Sequence, residues 1–255
     1  LFINLLTSRM KISNKLIVIT LTAALFTTQL SKAQSESYGT WTSVGVEKDF
    51  GKWNVGAETE LRTIYFARLI DRWSLGVNAD YSVFKQLKIG IGYQYMKALD
   101  FKLDDDGYLI ANYYTKNYFD RHRFNASATG KIKWNDFTFS LRERAQITIK
   151  ENRIITSDGT VDDYNVNPAW VWRNKGQISY NIPKCKITPA FSVETFFDLN
   201  NPDGNTFNNF RYLLSFDYKL NKRNIIELYG VLNSALNSED SYGKYILGIS
   251  YNYSF

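Results

Sequence analysis

Cysteine is nearly absent from this sequence. Cys185 is the only one, so no internal disulfide can staple the fold, and no thiol follows the N-terminal segment to carry a lipid. Histidine is equally scarce: His122 alone rules out a His-based metal cluster within one chain. Proline is scarce as well, at four in 255 residues, which argues against disorder. After residue 33 no apolar run approaches the ~18 residues that a membrane-spanning helix requires, so a helical membrane protein is excluded. No phosphate-binding glycine loop, zinc spacing or solenoid repeat is present, and no cofactor is expected.

Aromatics are abundant, at 16 % with 18 Tyr and 17 Phe, which favours extended structure over disorder. The N-terminus carries an export pattern. Arg9, Lys11 and Lys15 precede the apolar run Leu16–Phe26, and Ser31-Lys32-Ala33 fits a small-x-small cleavage site. Residues 1–33 are therefore expected to be a cleaved signal peptide with upstream residues. Met10 would be a natural start, and residues 34–255 are expected to be the mature barrel. Removing the four basic residues of 1–33 lowers the formal charge from +6 to +2, too small a balance to suggest nucleic acid.

The mature sequence alternates with period two, the signature of strands that present one face to oil and one to water. Tyr245, Leu247, Ile249, Tyr251, Tyr253 and Phe255 share one face of the last segment, while Ile246, Gly248, Ser250, Asn252 and Ser254 share the other. Eleven segments show it to differing degrees, at about 40–50, 52–65, 70–84, 87–99, 119–134, 137–150, 169–182, 185–199, 207–220, 223–236 and 242–255, with 40–50 and 223–236 alternating poorly. Each exceeds the ~9–11 residues a tilted strand needs to cross a bilayer. Tight turns near 50–52, 85–86, 135–136, 183–184 and 221–222 alternate with longer polar connections, notably 100–118 and 151–168. This predicts an all-β, antiparallel up-and-down transmembrane barrel. Since single-chain bacterial barrels normally have an even strand count, ten or twelve strands are expected. An odd barrel closed by a parallel pair is the less favoured option.

A soluble sandwich also alternates, but two features favour a membrane. The polar face carries full charges, at Glu58, Glu60, Arg62, Asp80, Lys131, Lys133, Arg142, Arg144, Arg173, Lys175, Glu194, Asp217 and Lys219. On the apolar face Trp53, Trp73, Trp134 and Phe137 are expected beside tight turns, and Tyr93, Tyr95 and Trp170 toward the long loops, where interfacial girdles belong. The charges are the lumen-lining candidates. Three consecutive strands supply Lys131 to Lys175, and earlier and later strands supply the acids, Asp198 and Glu227 included. Closure sets a basic wall against acidic ones, either as paired filling or as a polarised pore or cavity. Glu143 and Asn174 break the rule by falling on the apolar face. A carboxylate there costs on the order of 2 kcal/mol or less near an interface, and a bulge could turn it inward.

Tyr251, Tyr253 and Phe255 resemble the C-terminal signal of outer-membrane proteins, read by the barrel-assembly machinery. The whole mature chain also resembles a family of uncharacterised Gram-negative outer-membrane barrels known only as a domain of unknown function. The resemblance rests on Trp41-Thr42-Ser43-Val44-Gly45-Val46-Glu47-Lys48, the stretch Trp53 to Arg62, and Arg121-His122-Arg123-Phe124. It implies a barrel of about this length in contact with outer-membrane lipids and lipopolysaccharide, and brings no catalytic residues.

The leading expectation is a non-enzymatic barrel, acting as a narrow, porin-like channel or as a binding or structural protein, with an unknown ligand. A membrane-embedded lipid or phospholipid hydrolase pairing His122 with Ser127 or Ser140 is one rival. A soluble periplasmic β-sandwich lipid carrier is the other. Asp104-Asp105-Asp106-Gly107 and Asp198–Gly204 suit solvated turns better than calcium loops.

Overall fold

A computed structural model describes residues 38–99, 118–151, 154–155, 161–162, 166–236 and 244–255. The expected signal peptide and its cleavage site, the Asp104–Gly107 turn and most of the connections 100–118 and 151–168 lie outside these residues. The strands are β1 (Tyr38–Phe50), β2 (Trp53–Ile64), β3 (Leu69–Phe84), β4 (Leu87–Leu99), β5 (Tyr118–Trp134), β6 (Phe137–Lys150), β7 (Ile154–Ile155), β8 (Val161–Asp162), β9 (Ala169–Tyr180), β10 (Ile187–Asp198), β11 (Phe207–Lys219), β12 (Asn224–Ala235) and β13 (Tyr245–Ser254). The pair β7–β8 stands apart, and the other eleven strands close into one barrel.

The closed barrel excludes the two-sheet sandwich. It also corrects the expected ten or twelve strands: there are eleven, because segment 38–50 is a full wall strand paired on both edges. An odd number of alternating strands brings the first and last together in the same direction, so closure must be parallel. β1 and β13 pair in that sense over ten positions, from Tyr38↔Tyr245 to Glu47↔Ser254. A buried hydrogen bond from the Ser43 hydroxyl to that of Ser250 (3.0 Å) crosses the seam. At its end the Phe255 amide donates to the Glu47 carbonyl (2.9 Å).

The apolar faces look outward. Ile91 is 66 % exposed and Leu247 64 %, as no soluble surface of this extent would leave them. Trp53, Trp134 and Phe255 are exposed at the end bearing the short turns, and Trp73, Trp170 and Trp172 toward the other. Hydrocarbon is the solvent that matches this belt and these girdles. Glu143 stays outward, in unbroken register with Asn174, so no bulge turns it in. The Trp172 indole N–H lies 2.8 Å from Glu143 Oε2 and 2.9 Å from Asn174 Oδ1, and Asn174 Nδ2 donates to Thr195 Oγ1 (3.2 Å). These polar groups satisfy one another on the lipid-facing wall.

Candidate binding cavity in the lumen

Strand parity decides what enters the lumen. On β6 the even-numbered residues face in, which brings Arg142, Arg144, Gln146 and Thr148 inside. On β9 it is Arg173 and Lys175, on β10 Glu194 and Phe196, and on β11 Arg211. Small inward residues make room for large ones. The Tyr229 ring lies over Gly248 on the neighbouring strand, at a place where any Cβ would collide with it.

The two ends of the lumen differ. At the end bearing the longer connections the inward side chains Ile64, Met96, Ala98, Phe119, Val231 and Ile246 are buried, Met96 completely. The sequence reading did not foresee these apolar side chains, which share that end with the inward Arg72, Gln146 and Thr148 and which we call the apolar cap. At the short-turn end the inward Lys131, Lys133 and Lys219 are exposed. Between them is a cavity of about 540 Å³, and nine of the thirteen candidates line it: Glu58, Glu60, Arg62, Asp80, Arg142, Arg144, Arg173, Lys175 and Glu194. Lys131, Lys133, Asp217 and Lys219 do not. Asp217 instead stands opposite Glu227 in the β11–β12 register.

Two charge clusters are tightly made. The Glu194 carboxylate, in a residue only 4 % exposed, meets three guanidiniums: Arg142 at 2.8 Å, Arg173 at 2.9 Å and Arg211 at 3.5 Å. These come from β6, β9 and β11, so a single side chain ties three strands across the wall. Arg173 also donates to Gln146 Oε1 (2.9 Å), and Arg211 donates through Nε to Asn233 Oδ1 (2.9 Å). In the second cluster Arg62 forks onto Glu60 (2.6 and 3.0 Å), with Arg72 at 4.0 Å from the same carboxylate. Paired, bidentate geometry of this kind offsets much of the cost of bringing charge indoors.

Inward aromatics hold the guanidiniums flat. Arg62 lies 3.6 Å from the Trp41 ring centroid and Arg211 5.0 Å from it, while Arg173 and Arg211 lie 4.6 and 4.8 Å from Phe196. Trp41, Phe196, Arg211 and Arg123 were not among the sequence-derived candidates. Arg211 and Arg123 have inward parity, and that alone could have found them. Trp41 and Phe196 are large aromatics on the inward face, against the rule used to assign faces.

Other charged groups in the same cavity have no counter-ion within 4.0 Å among the described residues. Among those residues Arg144 has no hydrogen-bond partner and no carboxylate within 4.0 Å, and its Nε is buried without a partner. Lys175 likewise has no carboxylate within that distance, although it lies beside Glu194 in register. Arg123 bonds only neutral oxygens, Thr148 Oγ1 at 3.2 Å and Gln94 Oε1 at 3.3 Å. Among the acids, Glu58, Asp80 and Glu227 have no cationic nitrogen within 4.0 Å. The expected contact between the basic wall and an acidic one is made at Glu194, whereas Glu60 pairs within β2 and with β3, and these six groups have no ion pair within 4.0 Å among the described residues.

His122 lies outside the lumen. Its Nδ1 is 2.8 Å from the Tyr93 hydroxyl, and its ring packs on Tyr93 and Tyr95. Ser127 and Ser140 face inward, on the opposite side of the sheet, so the His–Ser pair needed by the hydrolase alternative is not formed. The assembly-signal residues Tyr251, Tyr253 and Phe255 follow the outer face of β13, with Tyr251 hydrogen-bonded to Asn224 and Phe255 edge-on to Tyr253 at 4.8 Å. Asp198–Gly204 is a turn in which Asn201 Oδ1 accepts from the Asp203 amide (3.0 Å).

Residues 38–242 match the profile of a family described as "Protein of unknown function (DUF2490)". No curated protein matches the sequence. Among solved structures, the chain is similar to the beta domain of the Bordetella autotransporter BrkA (10 % identity, 80 % of this chain and 82 % of that one, TM-score 0.47). It is also similar to a porin (13 %, 75 % and 56 %, TM-score 0.34) and to OmpT, an outer membrane protein of Vibrio cholerae (13 %, 78 % and 55 %, TM-score 0.37). None of these likenesses bears on what this chain does.

Proposed function

We propose that this chain, which belongs to the DUF2490 family, is a non-enzymatic outer-membrane protein whose lumen is a binding cavity open toward the periplasm and closed toward the cell exterior. The observation that carries this reading is the asymmetry of the lumen. A charged cavity of about 540 Å³ lies beneath buried inward apolar side chains at one end and exposed lysines at the other. That volume is in the range of small-molecule sites, roughly 300–1,000 Å³. Short turns mark the periplasmic end of outer-membrane barrels and longer loops the outer end, so the apolar cap faces outward. Export through the N-terminal signal peptide and insertion guided by Tyr251, Tyr253 and Phe255 belong to the same reading, as does contact of the outer belt with lipopolysaccharide and lipid.

Planar-bilayer recording tests the reading directly. Purified protein should show little or no steady conductance. Truncating the cap with Met96→Ala and Phe119→Ala together should raise it. A large, stable pore in the unaltered protein would refute the closed cap.

A further inference from the structure

Among the described residues, six ionisable side chains face the cavity with no counter-ion within 4.0 Å, and they are not mixed. The three cations, Arg123, Arg144 and Lys175, stand on β5, β6 and β9. The three acids, Glu58, Asp80 and Glu227, stand on β2, β3 and β12. In the ring of eleven strands, β6 and β9 are each five strands from β1 in opposite directions, while β2 is one and β12 two strands from β1. The unpaired cations therefore occupy the wall opposite the seam and the unpaired acids flank it, with the cavity between them.

The same chain knows how to pair such groups. Glu194 collects three guanidiniums at 3.5 Å or less in the same lumen. Charge left unpaired beside well-made clusters is costly indoors unless something else compensates it. A simple anion would satisfy the basic wall and leave the acids worse off, and a simple cation would do the reverse.

We infer that the cavity binds a small zwitterion of dipeptide size, its carboxylate or phosphate end on Arg144 and Lys175 and its ammonium end on Glu58 and Glu227. Arg144 is the anchor for the negative end, because it lines the cavity, has no ion pair within 4.0 Å among the described residues, and carries a fork suited to carboxylate or phosphate. The inference rests on the proposed reading of the lumen as a cavity open at its periplasmic end.

The test uses the full mature barrel in detergent, with Cys185→Ser removing the one exposed thiol. Equilibrium dialysis compares diglycine with N-acetyl-diglycine, which has only the negative end, and diglycine amide, which has only the positive end. Diglycine should bind at one site, and each blocked form more weakly by about tenfold or more, as expected for loss of a charged hydrogen-bonded contact. Arg144→Gln should lower the affinity for diglycine and the acetyl form while sparing the amide. Glu58→Gln should lower it for diglycine and the amide while sparing the acetyl form. Separately, Ser127→Cys in the cavity wall is treated with an anionic methanethiosulfonate reagent, and heat-modifiable gel mobility confirms that each variant is folded. Labelling together with the selective pattern supports the inference. Labelling with no binding, or with equal binding of the three probes, overturns it and leaves the open-cavity reading standing. Failure of a folded Ser127→Cys protein to label, with no binding, overturns both.

Discussion

Glu194 and Arg144 occupy neighbouring levels of one lumen and live under opposite regimes. The carboxylate is buried against three guanidiniums drawn from three strands. The guanidinium has no hydrogen-bond partner among the described residues and a buried, unpartnered Nε. Both are inward side chains of adjacent wall regions, so solvent access alone does not separate them. What separates them is whether the barrel's own register supplies a partner. Arg142, Lys175, Glu194 and Arg211 share one lateral row, from β6 through β9 and β10 to β11. The row of Arg144 continues through Arg173 to Phe196 in one direction and through Ser127 to Gly90 and Asp80 in the other, with no carboxylate next to it. Glu194 and the arginines around it, Arg173 of the second row included, fasten strands together. Arg144 is left for something that is not the barrel.

The largest effect should come from breaking the fastened cluster. Glu194→Gln leaves Arg142, Arg173 and Arg211 crowded without their counter-ion. Removing one partner of a buried ion cluster typically costs ~3–5 kcal/mol. Urea unfolding of the refolded barrel, followed by gel mobility and tryptophan fluorescence, should show a loss of that size. A loss below about 1 kcal/mol would mean that water or rearranged side chains already carry those arginines. Glu60→Gln should cost less, about 1–3 kcal/mol, because Arg62 keeps its seat on Trp41 at 3.6 Å and the amide can still accept a hydrogen bond from it.

Glu143 sharpens the contrast from outside the barrel. Its carboxylate faces hydrocarbon but accepts from the Trp172 indole N–H, which also reaches Asn174 Oδ1 at 2.9 Å. Glu143→Leu removes a polar group from the lipid face and leaves Trp172 with an acceptor. The expected outcome is a gain in stability of about 1 kcal/mol in the same assay, since carboxylates on the lipid face cost less than the ~2–4 kcal/mol of mid-bilayer Arg or Lys. A loss instead would show that the Glu143–Trp172 bond fastens β6 to β9.

These comparisons also mark how far the sequence alone carries. Alternation located the wall strands and assigned nearly every face, because a pleated strand has only two. Segment 40–50 was, with 223–236, one of the two that alternate poorly, and β1 explains why: it turns Thr40, Thr42, Val44 and Val46 outward and the bulky Trp41 inward, a muted and locally inverted pattern. That muted strand is the one whose parallel pairing makes the count odd. The cap was hidden for a related reason. Ile64, Met96, Phe119 and Ile246 are inward and apolar, whereas a lumen is expected to be polar. Parity tells face and not level. Which of the inward charges meet depends on the stagger between strands, and no local pattern encodes that. Hence Glu194 and Arg211 could be placed inside the barrel from sequence, but their contact could not.

The smallest expected effect is the most informative. Arg144→Gln deletes a cation that repels Arg142 and Arg173 and attracts no carboxylate at contact distance. If Arg144 belonged to the fabric of the wall, its loss would resemble that of Glu194. If it is held in readiness for a ligand, unfolding in the absence of ligand should shift by no more than about 0.5 kcal/mol, or move slightly toward greater stability as like-charge crowding is relieved. The sign can be checked with salt, because repulsion among neighbouring guanidiniums is screened as ionic strength rises. The gain from Arg144→Gln should therefore be greatest at low salt and fade at ~1 M. A clear destabilisation that persists at high salt would mean that Arg144 has a structural partner, and the distinction between the fastened cluster and the waiting arginine would fail.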